Sequence, residues 1–109
     1  MYIYNVTVNI DTEHEEAWLQ WMQQNHIPKM LSTGKFSEAK LCQVMVEEEM
    51  GGVTYSVQYT TDSKETLEKY YQENAEKMRD EGAQLFKGKF VAFRTELRLV
   101  NHVKNFIKS

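Results

Sequence analysis

The residues with most to offer chemically lie between Trp18 and Phe36, in the run W-x-x-W-M-x-x-x-H-I-P-x-x-L-x-T-G-x-F. His26 carries an imidazole that ordinarily titrates at about pH 6.5, so it can give or take a proton near neutrality. Trp18 and Trp21 stand beside Met22 at helical spacing, and each indole N–H needs a partner if the ring is buried. Tyrosines add a second set. Tyr2, Tyr4, Tyr55 and Tyr59 fall on the same strand parity as the valines expected in the core, and Tyr70 or Tyr71 should join them from a later helix. A buried phenol left unpaired costs roughly 1–3 kcal/mol, so a purely structural core would favour Phe, Leu or Ile at these places. Aromatic walls with a few polar tips are the usual make-up of a small-molecule site. In that reading His26 is the acid or base, and Tyr4 or Tyr55 steadies a developing oxyanion. Trp18, Trp21, Met22, Phe36, Tyr59 and Tyr70 line the ligand.

Each of these residues also has a structural reading. His26 sits at a helix break, where an imidazole can bond a freed carbonyl. Trp18 and Trp21, at i and i+3, equally suit a plain core, and Tyr2 and Tyr59 lie near strand ends with hydroxyls open to water. Other chemistry finds less support. His14 and His102 lie in polar surroundings, and no His, Cys or carboxylate group has the spacing of a metal site. Gly51-Gly52 is a hairpin and not a phosphate loop. Cys42, among apolar strand residues, should be inert. Neither a cofactor nor a metal is expected.

The elements that must hold these residues are legible from period and punctuation. Residues 2–10 alternate as a strand with one apolar face. Thr12-x-x-Glu15 reads as a capping box opening a helix through Trp18, Trp21 and Met22. Pro28 kinks that helix near His26 and suits the first turn of a second, which stops at Gly34. A strand over 37–48 leads to the acidic turn Glu47-Glu48-Glu49-Met50-Gly51-Gly52, and a third strand spans 53–61. Asp62-x-x-Glu65 caps the next helix, whose buried stripe is Leu67, Tyr70, Tyr71, Asn74, Ala75 and Met78, with Gly82 as its stop. The last strand runs from Lys89 to about Val100. This β-α-β, hairpin, α-β order is that of an α+β ferredoxin-like βαββαβ plait, a four-stranded antiparallel sheet with two helices on one face. Residues 1–100 form one domain and 101–109 a C-terminal tail, either frayed or clasping a partner as a short helix.

By alternation, Val6, Val8, Val57, Phe93 and Leu97 should face the helices. The open face should gather Asn5, Thr7, Asn9, Ser56, Gln58, Arg94, Glu96 and Arg98, with Leu41, Gln43 and Met45. Small polar residues there suit a close two-fold contact between sheets, with Arg94 and Arg98 pairing to Glu96 or Glu47 of a second copy. A solvated face is the simpler alternative.

Thirteen Lys and Arg against sixteen Asp and Glu give a net charge of −3, so no basic excess exists to neutralise a nucleic-acid backbone. A single cysteine rules out an internal disulfide. The opening M-Y-I-Y-N-V-T-V-N-I has no signal-peptide character, and no segment nears the roughly 20 apolar residues that span a bilayer, so the expected home is the cytoplasm.

Four segments together resemble a small bacterial family, the domain of unknown function 4286 family. They are M-Y-I-Y-N-V-T-V-N-I, the W-x-x-W-M-x-x-x-H-I-P run with T-G-K-F, V-E-E-E-M-G-G-V-T-Y-S-V-Q-Y-T, and K-F-V-A-F-R-T-E-L. The resemblance covers Met1 to about Leu99 and implies a dimeric α/β barrel, with two ferredoxin-like sheets face to face. It implies no activity. More distantly the fold looks like cofactor-free quinol monooxygenases and stress-responsive barrel proteins, some of them related to polyketide cyclases. These place substrate between helices and sheet, but no catalytic motif of theirs matches here residue by residue. The expectation is a homodimeric cytoplasmic protein that binds a small aromatic or polyketide-like molecule between helices and sheet. Cofactor-independent monooxygenase or cyclase-like chemistry would run on His26; the alternative is a non-catalytic ligand- or protein-binding module.

Overall fold

The structure, a computed structural model, describes residues 1–47, 49 and 51–105. Part of the expected acidic turn, Glu48 and Met50, and the end of the expected tail, residues 106–109, lie outside the described residues. Strand β1 (Tyr2–Ile10) is followed by a 3-10 turn over Thr12–His14 and helix α1 (Glu15–Trp21). A wide turn of helix over Met22–His26 leads into α2 (Ile27–Ser32). Then come β2 (Glu38–Gln43), β3 (Val53–Thr61), helices α3 (Lys64–Glu73) and α4 (Ala75–Leu85), and β4 (Phe90–Arg98). The sheet order is β2-β3-β1-β4, with every neighbouring pair antiparallel. This is the ferredoxin-like α+β plait.

The β-branched and aromatic residues of β1 and β3 make both strands, and their alternation makes the core. Tyr4, Val8 and Ile10 from β1 and Tyr55, Val57 and Tyr59 from β3 are buried under Trp18, Met22, Met30, Leu67, Tyr70 and Met78. Tyr59 does not sit at a wet strand end; it is 1% exposed.

Helix punctuation differs from the sequence expectation in several places. The first cap is Asp11, whose carboxylate accepts from the Glu13 N–H at 3.4 Å, and Thr12 belongs to the 3-10 turn. Glu15 is thereby free for another partner, the hydroxyl of Tyr55. Ser63, and not Asp62, caps α3 by accepting from Thr66 N at 3.1 Å. The Thr66 hydroxyl instead holds the Asp62 carboxyl below its ordinary range. The helix expected over 62–82 is two helices, parted at Asn74. Gly82 does not end it, because α4 continues to Leu85. At Pro28 the chain widens rather than breaks. The N–H of Ile27 reaches back five residues to the Met22 carbonyl, which absorbs the bond that a proline cannot donate.

The larger correction concerns the sheet faces. Residues directly opposite in an antiparallel pair point to the same side. Val6 is opposite Arg94, Val8 opposite Ala92 and Tyr4 opposite Glu96. Arg94, Glu96 and Arg98 are therefore on the helix side of β4, and Phe93 and Leu97 are on the open side beside Thr7 and Ile3. Likewise Leu41 and Gln43 share the helix side with Val57 and Tyr55, while Met45 lies beyond the strand. Sorting β4 by polarity inverts it, because β4 is an edge strand whose helix side is covered at Phe90 and Ala92 but left open from Arg94 onward, where burial does not select apolar residues. Asn5, Thr7, Ser56 and Gln58 do lie on the open face, tied together where the Ser56 hydroxyl donates to Asn5 Oδ1 at 2.6 Å. With them stand Val91 and Phe93, which are 59% and 69% exposed. Cys42 is on this face too, exposed and not enclosed by apolar neighbours.

Candidate functional site

Because β4 is not roofed from Arg94 onward, a cleft opens between its helix side and the helices. Its floor is Tyr4, Val6 and Val8 of β1 with Val57 and Tyr59 of β3; Ala92 and Arg94 of β4 form its flank. Trp18, Trp21, Met22 and His26 close it from the first helical segment, and Tyr70, Met78, Arg79 and Gly82 from the second. The cavity measures about 60 Å³, room for one small ring or a few waters and well short of the several hundred Å³ usual for larger ligands. Of the residues expected at a site, Tyr4, Trp18, Trp21, Met22, His26, Tyr59 and Tyr70 come together here.

Two do not. Phe36 is buried beneath the cleft, stacked on Tyr4 with ring centroids 6.1 Å apart. Tyr55 lies outside it, its ring 5.2 Å from Trp18 and its hydroxyl held by Glu15. Burial and the neighbouring Glu15 carboxylate push the Tyr55 phenol up to about 12, so it stays protonated and engaged. Sequence reasoning in turn missed Arg79, Arg94, Met30 and Gly82. The spacing of Ala75, Met78 and Gly82 marks the inward stripe of α4 and brings Arg79 to its border. Arg94 becomes visible only once the β1–β4 register is known.

The imidazole of His26 lies on Trp21 with centroids 4.7 Å apart and planes 25° from parallel. Its Nδ1 is buried and makes no hydrogen bond, so it is not spent on a freed carbonyl. Burial drives the His26 pKa down to about 4; Glu81 pulls it upward, and Lys29 and Arg94 reinforce the decrease. At neutral pH the ring is uncharged, a hydrogen-bonding group and only a weak base. Arg79 Nη2 donates to the Tyr4 hydroxyl at 3.2 Å, and the Tyr70 hydroxyl rests 3.4 Å from Met30 Sδ. Burial and the neighbouring phenols keep Tyr59 and Tyr70 well above the ordinary tyrosine range. Trp21 reaches across to α4, where a Cβ on Gly82 would stand 3.3 Å from its ring. Glycine is therefore what lets the indole lie against that helix. His14 is half-buried beside Asp11 at 3.7 Å and does not line the cleft. Among the described residues no group of three or more His, Cys, Asp or Glu is placed to hold a metal, and no helix is long and apolar enough to cross a membrane.

The fold recurs in solved structures at low identity. A dimeric ferredoxin-like protein from an uncultured marine organism is 11% identical, with a TM-score of 0.69 over 94% of this chain and 97% of its own. HapK from Hahella chejuensis is 7% identical, with a TM-score of 0.69 over 96% and 98%. An antibiotic biosynthesis monooxygenase is 9% identical, with a TM-score of 0.64 over 93% and 100%. At such identities the likeness is one of fold. No curated protein matches the sequence. A family model, "Domain of unknown function (DUF4286)", matches residues 1–100, and the chain belongs to that family.

Proposed function

We propose that this protein is a cytoplasmic homodimer that binds a small aromatic molecule in the cleft between helices and sheet. The observation that carries the reading is a built but unspent recognition surface. Aromatic walls surround an imidazole whose Nδ1 is buried without a partner, which is costly unless something completes it. The homodimer is supported by the open face of the sheet. Val91, Phe93 and Leu97 expose apolar surface along β4, next to the short polar residues Asn5, Thr7, Ser56 and Gln58. Solved neighbours of the same fold are described as dimeric, and a second copy is the occupant that matches this self-adjacent face. Arg94 and Glu96 have no part in that contact, being on the other side of the sheet.

Catalysis is a second reading, favoured by the free ring nitrogen of His26 beside the Tyr4–Arg79 pair. There, cofactor-independent oxygenation or cyclisation would use His26 for the proton and Tyr4 for the oxyanion. Comparing native with denatured mass of protein purified from its own cells tests the main reading. A dimer with additional non-covalent mass is the expected result; a monomer, or a dimer that never retains or takes up a small aromatic molecule, overturns it. His26→Ala separates the two readings: loss of turnover with ligand still bound marks catalysis, and loss of binding alone marks a receptor.

A further inference from the structure

The cleft has an electrostatic polarity that its aromatic walls do not require. Arg79 and Arg94 both line it, from α4 and β4, and no Asp or Glu does. Arg79 uses one donor on the Tyr4 hydroxyl and keeps the rest of its guanidinium. Arg94 makes no hydrogen bond or ion pair among the described residues, yet it is close enough to influence both His26 and Tyr70. Two acids act close by, Glu81 on His26 and Glu96 on Tyr71. Glu81 is paired with Lys29 at 2.8 Å; Glu96, on the same face of β4 as Arg94, accepts from the neutral Tyr71 hydroxyl at 2.8 Å and keeps its charge, but it forms no ion pair with either arginine among the described residues. Two cations with no ion-pair partner among the described residues thus border one cleft in a protein whose net charge is −3.

We infer that the ligand of this cleft is a small aromatic acid, with a single ring among Trp18, Trp21 and Tyr59 and a carboxylate at the Arg79–Arg94 mouth. This rests on the cleft being a binding site. A guanidinium fork matches the two oxygens of a carboxylate, and two forks from separate elements fix its position as well as its charge. The cavity of about 60 Å³ limits the buried part to one ring. Neutral His26 adds a hydrogen-bonding tip without repelling the ring or competing for the anion. Placing the acid end at the mouth also leaves it partly hydrated, which avoids the cost of fully burying a charge.

The test is an NMR titration of the 15N-labelled full chain with benzoate, benzyl alcohol and benzylamine at low salt, read at the indole N–H signals of Trp18 and Trp21. Benzoate should bind at least tenfold more tightly than benzyl alcohol, and benzylamine more weakly than either. Arg94→Gln should erase most of the benzoate advantage, weakening benzoate several-fold more than benzyl alcohol, and Arg94→Glu should shift the preference to benzylamine. Arg94 is exposed, so both variants should fold. Equal binding of benzoate and benzyl alcohol by the native protein overturns the acid assignment and leaves the cleft standing as a site for neutral rings. Unaltered discrimination in Arg94→Gln overturns it as well. If none of the three ligands moves either indole, the cleft reading fails and this inference fails with it.

Discussion

Strands β3 and β4 flank β1 on its two sides with the same length and the same antiparallel pairing, yet they carry opposite cargo. Tyr4 has Tyr59 on one side and Glu96 on the other; Val6 has Val57 and Arg94; Val8 has Tyr55 and Ala92. On the helix side β3 is buried at alternate positions from Tyr55 to Thr61, whereas Arg94, Glu96 and Arg98 of β4 are exposed. The difference lies in what the helices cover. A roofed strand must be apolar on its inner face. An edge strand left outside the roof is free to carry charge inward and apolar surface outward. The cleft and the dimer face proposed above both come from that inversion.

Truncating the roofed side should do the most damage. Tyr59→Ala removes a ring that packs against Tyr4 and Phe36, at centroid distances of 6.1 and 5.4 Å. It should cost about 3–5 kcal/mol in urea unfolding, as large-to-small aromatic changes do. Arg98→Ala, at the exposed end of β4, should stay within about 0.5 kcal/mol. Comparable losses at the two positions would mean that β4 is roofed after all.

The outward half of the comparison predicts the next effect. Phe93→Glu places a charge on the apolar face and should weaken self-association at least 100-fold, about 2.7 kcal/mol. Protomer unfolding should be unaltered, because Phe93 is 69% exposed. Sedimentation across a concentration series reads this directly. A dimer indifferent to Phe93→Glu would locate the contact elsewhere on the molecule.

His26 sharpens the comparison at the cleft. Its pKa is about 4 in the fold against 6.5 unperturbed, so between those values the unfolded chain binds the proton and the folded chain does not. Stability therefore falls as pH drops from 6.5 toward 4. That difference, discounted for partial exposure, corresponds to roughly 2 kcal/mol. The urea midpoint of His26→Gln, measured beside the native protein, should lack this part of the acid limb. Identical pH profiles would mean that His26 is hydrated and that its orphaned nitrogen is not a recognition group.

What the sequence disclosed follows the same division. The topology and the core were legible because period-2 alternation in residues 2–10 and 53–61 is enforced by burial. Of the residues gathered at the cleft, Tyr4 was legible from that alternation, and Trp21, His26 and Tyr70 from the helical spacing of segments that must lie over the same sheet face. The face of β4 was not, since its alternation of apolar and charged residues is equally regular with either face inward and only pairing with β1 decides. That hid Arg94. Tyr55 and Phe36 look like site residues by parity, but lateral position within the sheet, which parity does not encode, removes them from the cleft. Gly82 read as a helix stop because glycine most often signals one, whereas here its missing side chain makes room for a ring.

That glycine permits the smallest and most discriminating change. In a helix interior, Gly→Ala is worth about 0.5–1 kcal/mol of added stability through backbone entropy and propensity. At Gly82 the new methyl would meet Trp21 Cη2 at 3.3 Å and Cζ3 at 3.7 Å, so the indole must give way by a few tenths of an ångström. Trp21 is not free to do so at no cost, because it stacks on His26 and its ring lies 5.6 Å from Phe86. The two terms oppose each other, and the net stabilisation should fall below about 0.5 kcal/mol, short of the full helix gain. The displaced indole should show as a shift of the Trp21 N–H signal and as weaker ligand binding, with the Trp18 signal little changed. A Gly82→Ala protein that gains the whole propensity term and keeps its Trp21 signal in place would mean that the wall between α4 and the cleft has slack. The cleft would then be a loosely packed gap beside an uncovered strand, without the fixed ring-shaped slot that binding a small aromatic acid requires.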